Sequence, residues 1–183
     1  MVLGFDTSAA HCAAALLVGN RVLVARAEEM GRGQAERLMP LLEEVLAEGG
    51  VTWRDLARIG VGIGPGNFTG IRISVAAARG LALALDIPAI GVSTFDAIRA
   101  GGGLGTPVVP APNGMVHVAT PALVAVESVT DPLWPPAPAL LAQAIARIAQ
   151  DAPKDSPPPA PLYLRPADAA PARDAPPVIL DDA

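Results

Sequence analysis

The chain has little of what several classes of protein require. Its 183 residues include one cysteine, Cys12, so no disulfide can form within the chain, which favours a reducing compartment. Thirteen basic against eighteen acidic residues give a net charge of −5, which offers no general attraction for nucleic-acid phosphates. No uninterrupted apolar run approaches the ~18 residues that span a bilayer, and no secretory signal opens the sequence. We therefore expect a cytoplasmic protein without membrane contact, in which any RNA contact is local or made through a partner.

Side chains that commonly perform catalysis are also scarce. His11 and His117 are the only histidines, and they lie far apart without the spacing of metal ligands. Cys12 precedes an alanine-rich strand pattern, which favours a small core residue over an activated thiolate. No serine lies in a G-x-S-x-G elbow. The sequence therefore predicts no catalytic residue and no metal site, and it favours a protein whose work is binding.

Proline divides the chain into two parts near Gly101–Gly105. Only Pro40, Pro65 and Pro88 of the twenty prolines precede that point. This predicts an ordered first lobe at 1–103 and a smaller, proline-rich second lobe with an extended tail at 104–183.

Hydrophobic periodicity predicts an α/β fold in the first lobe. Three strands at the N-terminus, the last two joined by a turn at Gly19-Asn20, precede alternating helices and strands, which make a mixed sheet covered by helices. The predicted helices cover Ala35 to Glu48 and Ile71 to Leu85, and a shorter one is capped by Ser93 or Thr94. Signals weaken after Gly105, where three short strands and a helix over 139–150 are the predicted elements.

The stretch GIGPGNFTGIRI, Gly62 to Ile73, has two interpretations. A glycine-rich turn before a helix attracts anions, and it can face a strand-end turn whose carboxylate holds a metal-bound water and whose hydroxyls bind phosphate. The candidate residues for such a vestigial nucleotide or anion site are Asp6, Thr7, Ser8, Gly64, Gly66 and Asn67. The stretch lacks the Lys-Ser/Thr of a P-loop and the G-x-G-x-x-G spacing, so the other interpretation is a tight turn that requires positive φ and close backbone packing. Thr7 and Ser8 would then only satisfy backbone groups at a strand end.

The predicted helices at Ala35 to Glu48 and Ile71 to Leu85 have more apolar surface than one sheet can cover. Arg72 and Arg79 share a narrow face of a helix that is otherwise apolar or small, and Gly80 in its interior suggests that another backbone passes close by. One hypothesis is that the two helices cover each other on the same sheet. The other is that they jointly present a patch to a partner. The predicted patch consists of Leu38, Leu41, Leu42, Val45, Ile71, Arg72, Val75, Ala76, Arg79, Gly80 and Leu83.

The segments GFDTS, ERLMPLLEEVL, GIGPGNFTGIRISVAAARGLALALDIPAIGVSTFDAI and PLYLRPADA resemble the bacterial TsaB (YeaZ) family. The resemblance covers about the first hundred residues closely, and the long central segment is its most specific part. It implies an actin/hexokinase/Hsp70-like (ribonuclease H-like) fold of two lobes, with the second lobe reduced in this shorter chain. The chain departs from the family at Gln34, where a histidine is common, and at Pro110–Gly114, which replaces a DARR-like segment.

The resemblance also implies a function and partners. It implies a non-catalytic subunit of the machinery that makes N6-threonylcarbamoyladenosine at position 37 of tRNA. The implied partners are a TsaD-like catalytic subunit, paired through helices of the first lobe, and a TsaE-like ATPase. It further implies a homodimer when the chain is alone and only indirect contact with tRNA. No cofactor is expected, although ATP or ADP at a subunit boundary stays open.

A rival hypothesis is a small stand-alone enzyme of the same fold that binds ATP and transfers a phosphoryl or carbamoyl group. The second half of its nucleotide clamp has no candidate, because Gly114 is the only glycine after Gly105. A protease-like activity likewise finds neither a metal site nor a convincing nucleophile. The sequence therefore favours the scaffold.

Overall fold

The structure is a computed structural model that describes residues 1–120 and 122–164. In chain order its elements are β1 (Val2–Asp6), β2 (His11–Val18), β3 (Arg21–Glu29), α1 (Gln34–Glu48), β4 (Arg58–Gly62), α2 (Phe68–Leu85), β5 (Ala89–Val92), α3 (Thr94–Ala100), β6 (Thr106–Pro110), β7 (Met115–Val118), β8 (Ala122–Ala125), β9 (Pro132–Leu133) and α4 (Pro138–Asp151). Single 3-10 turns lie at Trp53–Asp55 and Val126–Ser128.

The first sheet has the order β3-β2-β1-β4-β5. The first three strands pair antiparallel, whereas β4 pairs parallel to both β1 and β5. Side chains of β2 alternate strictly between two cores: Cys12, Ala14 and Leu16 face α1 and α2, whereas the intervening residues Ala13, Ala15 and Leu17 face α4. Because both faces of β2 are covered, its sequence is apolar without interruption.

A second, smaller sheet has the order β8-β7-β6-β9. Its strands are short, and its valines form a separate small core with Val126 and Val129. Val109 of β6 packs instead against α3 through Phe95 and Ile98, which joins the second sheet to the first lobe.

Helix α4 packs on the first sheet although it follows the second one in sequence. Its buried residues Leu141, Ala142, Ile145, Ala146 and Ala149 form one core with β1, β2 and β5. Arg58 of β4 donates hydrogen bonds to the carbonyl oxygens of Ala149 and Ala152, at the end of the helix. The assignment of everything after residue 103 to a second lobe is therefore wrong for α4, which completes the first lobe.

Helix α2 begins earlier than its periodicity predicted. Asn67, not a residue near Ile71, caps the helix: its side-chain oxygen accepts a hydrogen bond from the Gly70 amide at 2.8 Å. The first turn, Phe68–Gly70, contains a threonine and a glycine, so its apolar pattern is weak and only the cap marks the start.

Among the described residues, α2 is also the one helix whose length and composition would suffice to cross a membrane. Core helices of other proteins meet the same test, and α2 packs against β4, β5 and α1. The absence of membrane contact therefore stays a prediction.

Candidate functional site

A cleft of about 1230 Å³ lies at the carboxyl ends of the parallel strands β1, β4 and β5, where open α/β sheets commonly bind ligands. Its first wall is formed by the turn after β1, by residues 65–68 and by the start of α2. Residues 162–164 adjoin this wall through contacts of Tyr163 with Phe68 and Arg72, and further lining residues come from β6, from β7 and from 134–138. The cleft therefore draws on both sheets.

The turn after β1 holds a buried carboxylate. Oδ2 of Asp6 accepts hydrogen bonds from the amide (3.0 Å) and hydroxyl (2.9 Å) of Ser8, and it lies 2.7 Å from Nε2 of His11. Asp6 is fully buried, whereas Ser8 and His11 line the cleft. The carboxylate that was predicted to hold a metal-bound water is thus already engaged within the chain through this oxygen.

The glycine loop packs tightly against that turn. Gly64 has a φ of +92°, and a Cβ on Gly66 or Gly70 would overlap the carbonyl oxygens of Ser8 and Thr7. The Thr7 hydroxyl donates a 2.6 Å hydrogen bond to the Gly70 carbonyl. The interpretation as a tight turn with positive φ and close backbone packing is therefore confirmed.

The same packing limits what the loop offers to an anion. The amide of Asn67 donates to the Ser8 carbonyl at 2.6 Å, and the amide of Gly70 donates to the Asn67 side chain. Of the six residues predicted for an anion site, Ser8, Gly66 and Asn67 line the cleft, while Asp6 and Thr7 are buried behind it. Binding of a nucleotide at these residues stays a prediction.

Arg72 is held by residues 159–164, which follow α4. Its Nε donates a 2.8 Å hydrogen bond to the hydroxyl of Tyr163, and its guanidinium lies 3.8 Å from the ring centre of Phe68. The Phe68 and Tyr163 rings contact each other at 4.7 Å, and the Leu162 amide donates to the Ile63 carbonyl. The segment 159–164 is thereby fixed over the loop before α2.

Six of the eleven residues predicted to face a partner are buried within this chain. Four of them form the apolar stripe of α1 and two lie on α2, and each is at most 4% exposed. They are Leu38, Leu41, Leu42, Val45, Ile71 and Val75. The four α1 residues pack between the helices and the sheet, so the hypothesis that the helices cover each other is right for them. Ile71 and Val75 are buried but do not belong to that core, and Ile71 lines the cleft. The prediction of all six as surface contacts is wrong, because an amphipathic stripe has the same sequence pattern whether its own sheet or a partner covers it.

The outward face of α1 is charged rather than apolar. Arg37 pairs with Glu44 on the same helix and with Glu28 on β3, at 2.7 and 2.6 Å. Hydrogen bonds from Arg37 lower the pKa of both carboxyl groups. Gln34, which stands where the TsaB family commonly has a histidine, has a structural role at the start of α1. Its amide nitrogen donates a hydrogen bond to the carbonyl oxygen of Met30 at 3.2 Å.

The other five predicted interface residues lie exposed on one face of α2. They are Arg72, Ala76, Arg79, Gly80 and Leu83. Leu83 is 86% exposed, and a Cβ added to Gly80 would meet nothing within 4 Å. A groove of about 570 Å³ runs beside this face, between α2 and Lys154–Pro159.

The histidines and the cysteine have different environments. Both histidines line the cleft, and His11 is buried rather than at the surface. Within residues 1–120 and 122–164 no group of three or more potential metal ligands occurs. Burial raises the pKa of the Cys12 thiol to about 11, and the nearby charge of Glu28 adds to the rise. Cys12 is therefore the core residue that the sequence predicted.

Sequence reasoning missed three residues that shape the cleft: Trp134, Tyr163 and His11 as a partner of Asp6. Tyr163 lies 91 positions from Arg72, beyond the reach of any local pattern. The spacing Asp-x4-His across the turn between β1 and β2 was visible in the sequence and would have suggested that the two side chains meet.

Two sheets, a cleft between them and a tight turn after the first strand form an α/β protein of the actin/hexokinase/Hsp70-like class, as the resemblance implied. A family model described as TsaD: tRNA N6-adenosine threonylcarbamoyltransferase matches residues 27–120, just over half of the chain. The chain belongs to this family, and its resemblance to TsaB (YeaZ) is confirmed by the relatives described next.

The TsaB proteins of Escherichia coli K12 and Bacillus subtilis 168 are 36% and 34% identical to the chain over 94 and 120 residues. These matches cover 51% and 63% of this chain but only 40% and 52% of the relatives, so the chain spans about half of their length or less.

Two solved structures from Pseudomonas aeruginosa resemble the fold. YeaZ superimposes with a TM-score of 0.57 at 33% identity and covers 63% of this chain and 56% of its own. A second protein, described as uncharacterised with similarity to peptidase YeaZ, gives a TM-score of 0.70 at 23% identity and covers 90% and 99%. The latter likeness concerns the fold alone.

Proposed function

We propose that this chain is a non-catalytic scaffold or activator subunit in the synthesis of N6-threonylcarbamoyladenosine on tRNA. The curated relatives are named as tRNA threonylcarbamoyladenosine biosynthesis proteins, and the proposal extends that role to this shorter chain. The observation that carries it is the exposed apolar face of α2 with Leu83 at its centre.

This face has the chemistry of a docking surface. Leu83 is almost as exposed as a free side chain, and the adjacent Gly80 allows a backbone to approach closely because nothing in the described chain fills the space. A glycine in a helix interior costs about 1 kcal/mol relative to alanine, a cost that no contact within the described chain explains. Arg79 lies beside the groove and can pair with a carboxylate at the rim of the interface.

The proposed partner on this face is the TsaD-like catalytic subunit, and a second copy of the chain would use the same face in its absence. A TsaE-like ATPase would join the complex, tRNA would be contacted only indirectly, and the assembly would work in the cytoplasm. Because the match to the relatives covers only about half of their length, each of these partners is part of the proposal.

Replacing Leu83 with glutamate is expected to weaken pairing with the TsaD-like subunit of the same organism at least about tenfold, because a charge would be buried at the centre of the interface. Complex formation is measured by size-exclusion chromatography and titration calorimetry. Leu104, fully exposed on the loop before β6, provides a matched control, and Leu104→Glu is expected to pair normally. Normal pairing of Leu83→Glu would remove the α2 face from the proposal.

The scaffold and the stand-alone enzyme differ in whether the isolated chain should bind ATP. We expect the isolated chain to show no micromolar binding of ATP with Mg²⁺ by calorimetry, since Oδ2 of Asp6 is already bound by Ser8 and His11. Asp6→Asn, which keeps the shape of the side chain, serves as the comparison. Micromolar binding by the wild-type chain that Asp6→Asn abolishes would contradict the scaffold and favour the enzyme.

A further inference from the structure

The described lining of the cleft between the two sheets is basic, although the chain as a whole is acidic. Although acidic residues outnumber basic ones in the sequence, none of the aspartates and glutamates within residues 1–120 and 122–164 lines the cleft, whereas Arg72 and both histidines do. The nearest buried carboxylate described above, Asp6, lies behind the wall and accepts hydrogen bonds from Ser8 and His11. The cleft surface is therefore cationic at Arg72 and otherwise neutral or imidazole-bearing.

Arg72 is fixed in position at one side of this cleft. The Phe68 ring lies against its guanidinium and the Tyr163 hydroxyl accepts from its Nε, which together hold the guanidinium plane. None of the ion pairs among the described residues includes Arg72. Its two terminal nitrogens can therefore bind a carboxylate, sulfonate or phosphate group in the bidentate manner that guanidinium favours.

The rest of the cleft suits a flat apolar body. Trp134 is about half exposed and lines the cleft with the Tyr163 and Phe68 rings. Prolines form much of the remaining wall: Pro65, Pro110, Pro112, Pro135, Pro136 and Pro138. Rigid rings and prolines lose little conformational freedom when a planar ligand packs on them.

The helix N-terminus beside Arg72 is partly capped by its own chain. The side-chain oxygen of Asn67 accepts a hydrogen bond from the Gly70 amide, so that amide is not available to a ligand. Arg72 carries a permanent charge at this end of the cleft, and the proposal assigns recognition of the anionic group to it.

We propose that the cleft binds a small organic anion with a planar apolar body, whose charged group pairs with Arg72 and whose body lies against Trp134 and Tyr163. This site is separate from the α2 face around Leu83, and the proposal does not depend on the function proposed above. A variant can therefore lose anion binding in the cleft while it still pairs through the α2 face, and the reverse.

The test uses two dyes of similar shape, the anionic 8-anilinonaphthalene-1-sulfonate and the uncharged N-phenyl-1-naphthylamine, with the full chain. We expect the anionic dye to bind and to be excited by energy transfer from tryptophan. Arg72→Met should weaken its binding at least about tenfold and change binding of the neutral dye by no more than about twofold. Arg99→Met, at the exposed end of α3 and outside both the cleft and the groove beside α2, should change neither.

Two further variants locate the dye and guard against misfolding. Trp134→Phe should reduce the energy transfer strongly, because Trp134 lines the cleft and Trp53, the other tryptophan, does not. Arg72→Lys keeps the charge and is expected to retain more of the anionic dye's affinity than Arg72→Met, while circular dichroism verifies that each variant is folded. Displacement of the dye by 1-naphthaleneacetate or by 1-naphthyl phosphate would support the proposal and show whether a carboxylate or a phosphate is preferred.

Four outcomes would overturn the proposal. In the first three, the anionic dye binds Arg72→Met as tightly as the wild-type chain, energy transfer in Trp134→Phe is undiminished, or neither naphthyl anion displaces the dye. The fourth is tighter dye binding, by about tenfold, when the four aspartates after residue 164 (Asp168, Asp174, Asp181 and Asp182) are replaced by asparagine. That result would mean that the chain's own carboxylates neutralise Arg72.

Discussion

Gly4→Ala is expected to lower the free energy of unfolding by about 1–3 kcal/mol, because the added methyl group would overpack the contact between β1 and α4. Its Cβ would lie 2.5 Å from the carbonyl oxygen of Ala142 and 2.7 Å from the amide nitrogen of Ala146. Both are backbone atoms of a helix, so they cannot rotate away, and α4 as a whole would have to move. Urea unfolding followed by circular dichroism measures the change.

Gly80→Ala is the matched control for this substitution. Gly80 lies in α2 with open space where the methyl group would be, so this variant is expected to raise the free energy of unfolding by up to about 1 kcal/mol. The same chemical change thus has opposite expected signs at the two sites. A Gly4→Ala variant as stable as the wild-type chain would show that α4 does not pack on β1 as described.

Leu42→Ala is expected to lower the free energy of unfolding by about 2–5 kcal/mol, because Leu42 is fully buried among the residues that join α1 to the sheet. Pairing with the TsaD-like subunit, measured at a temperature where the variant is folded, should be unchanged. This result would separate the core stripe of α1 from the docking face of α2.

Met39→Ala, on the same helix, is the control for Leu42→Ala. Met39 is 36% exposed, so its loss should cost less than about 1 kcal/mol. If Leu42→Ala left stability unchanged and weakened pairing instead, the stripe would be a partner surface after all, and its burial against the sheet would be contradicted.

Much of the first lobe was predictable because its signals are local. Three strands were predicted at the N-terminus, and the structure has them as β1, β2 and β3, with the turn at Gly19-Asn20 between the last two. Ser93, one of the two residues predicted as the cap of α3, is its N-cap. Caps, turns and alternation depend on neighbouring residues, so a sequence displays them directly.

The candidate site was predictable only on one side. The turn at Asp6–Ser8 and the loop at Gly64–Asn67 meet, as their positions after β1 and β4 implied, since parallel strands end at the same edge. The other side depends on residues distant in sequence: Tyr163 reaches Arg72, and Trp134 comes from a proline-rich segment without periodic pattern. Prediction of a separate second lobe after residue 103 failed for the same reason, because α4 returns to β1.

By itself the sequence determined where most strands and helices lie and that Cys12 belongs to a core, whereas the structure decided that the glycine loop is a tight turn. Tertiary structure alone decided which side of an apolar helix is covered: β2 and β3 bury the stripe of α1, whereas Leu83 of α2 is left exposed. The physical reason is that periodicity records which face of a helix is apolar, whereas burial depends on what the rest of the chain places against that face.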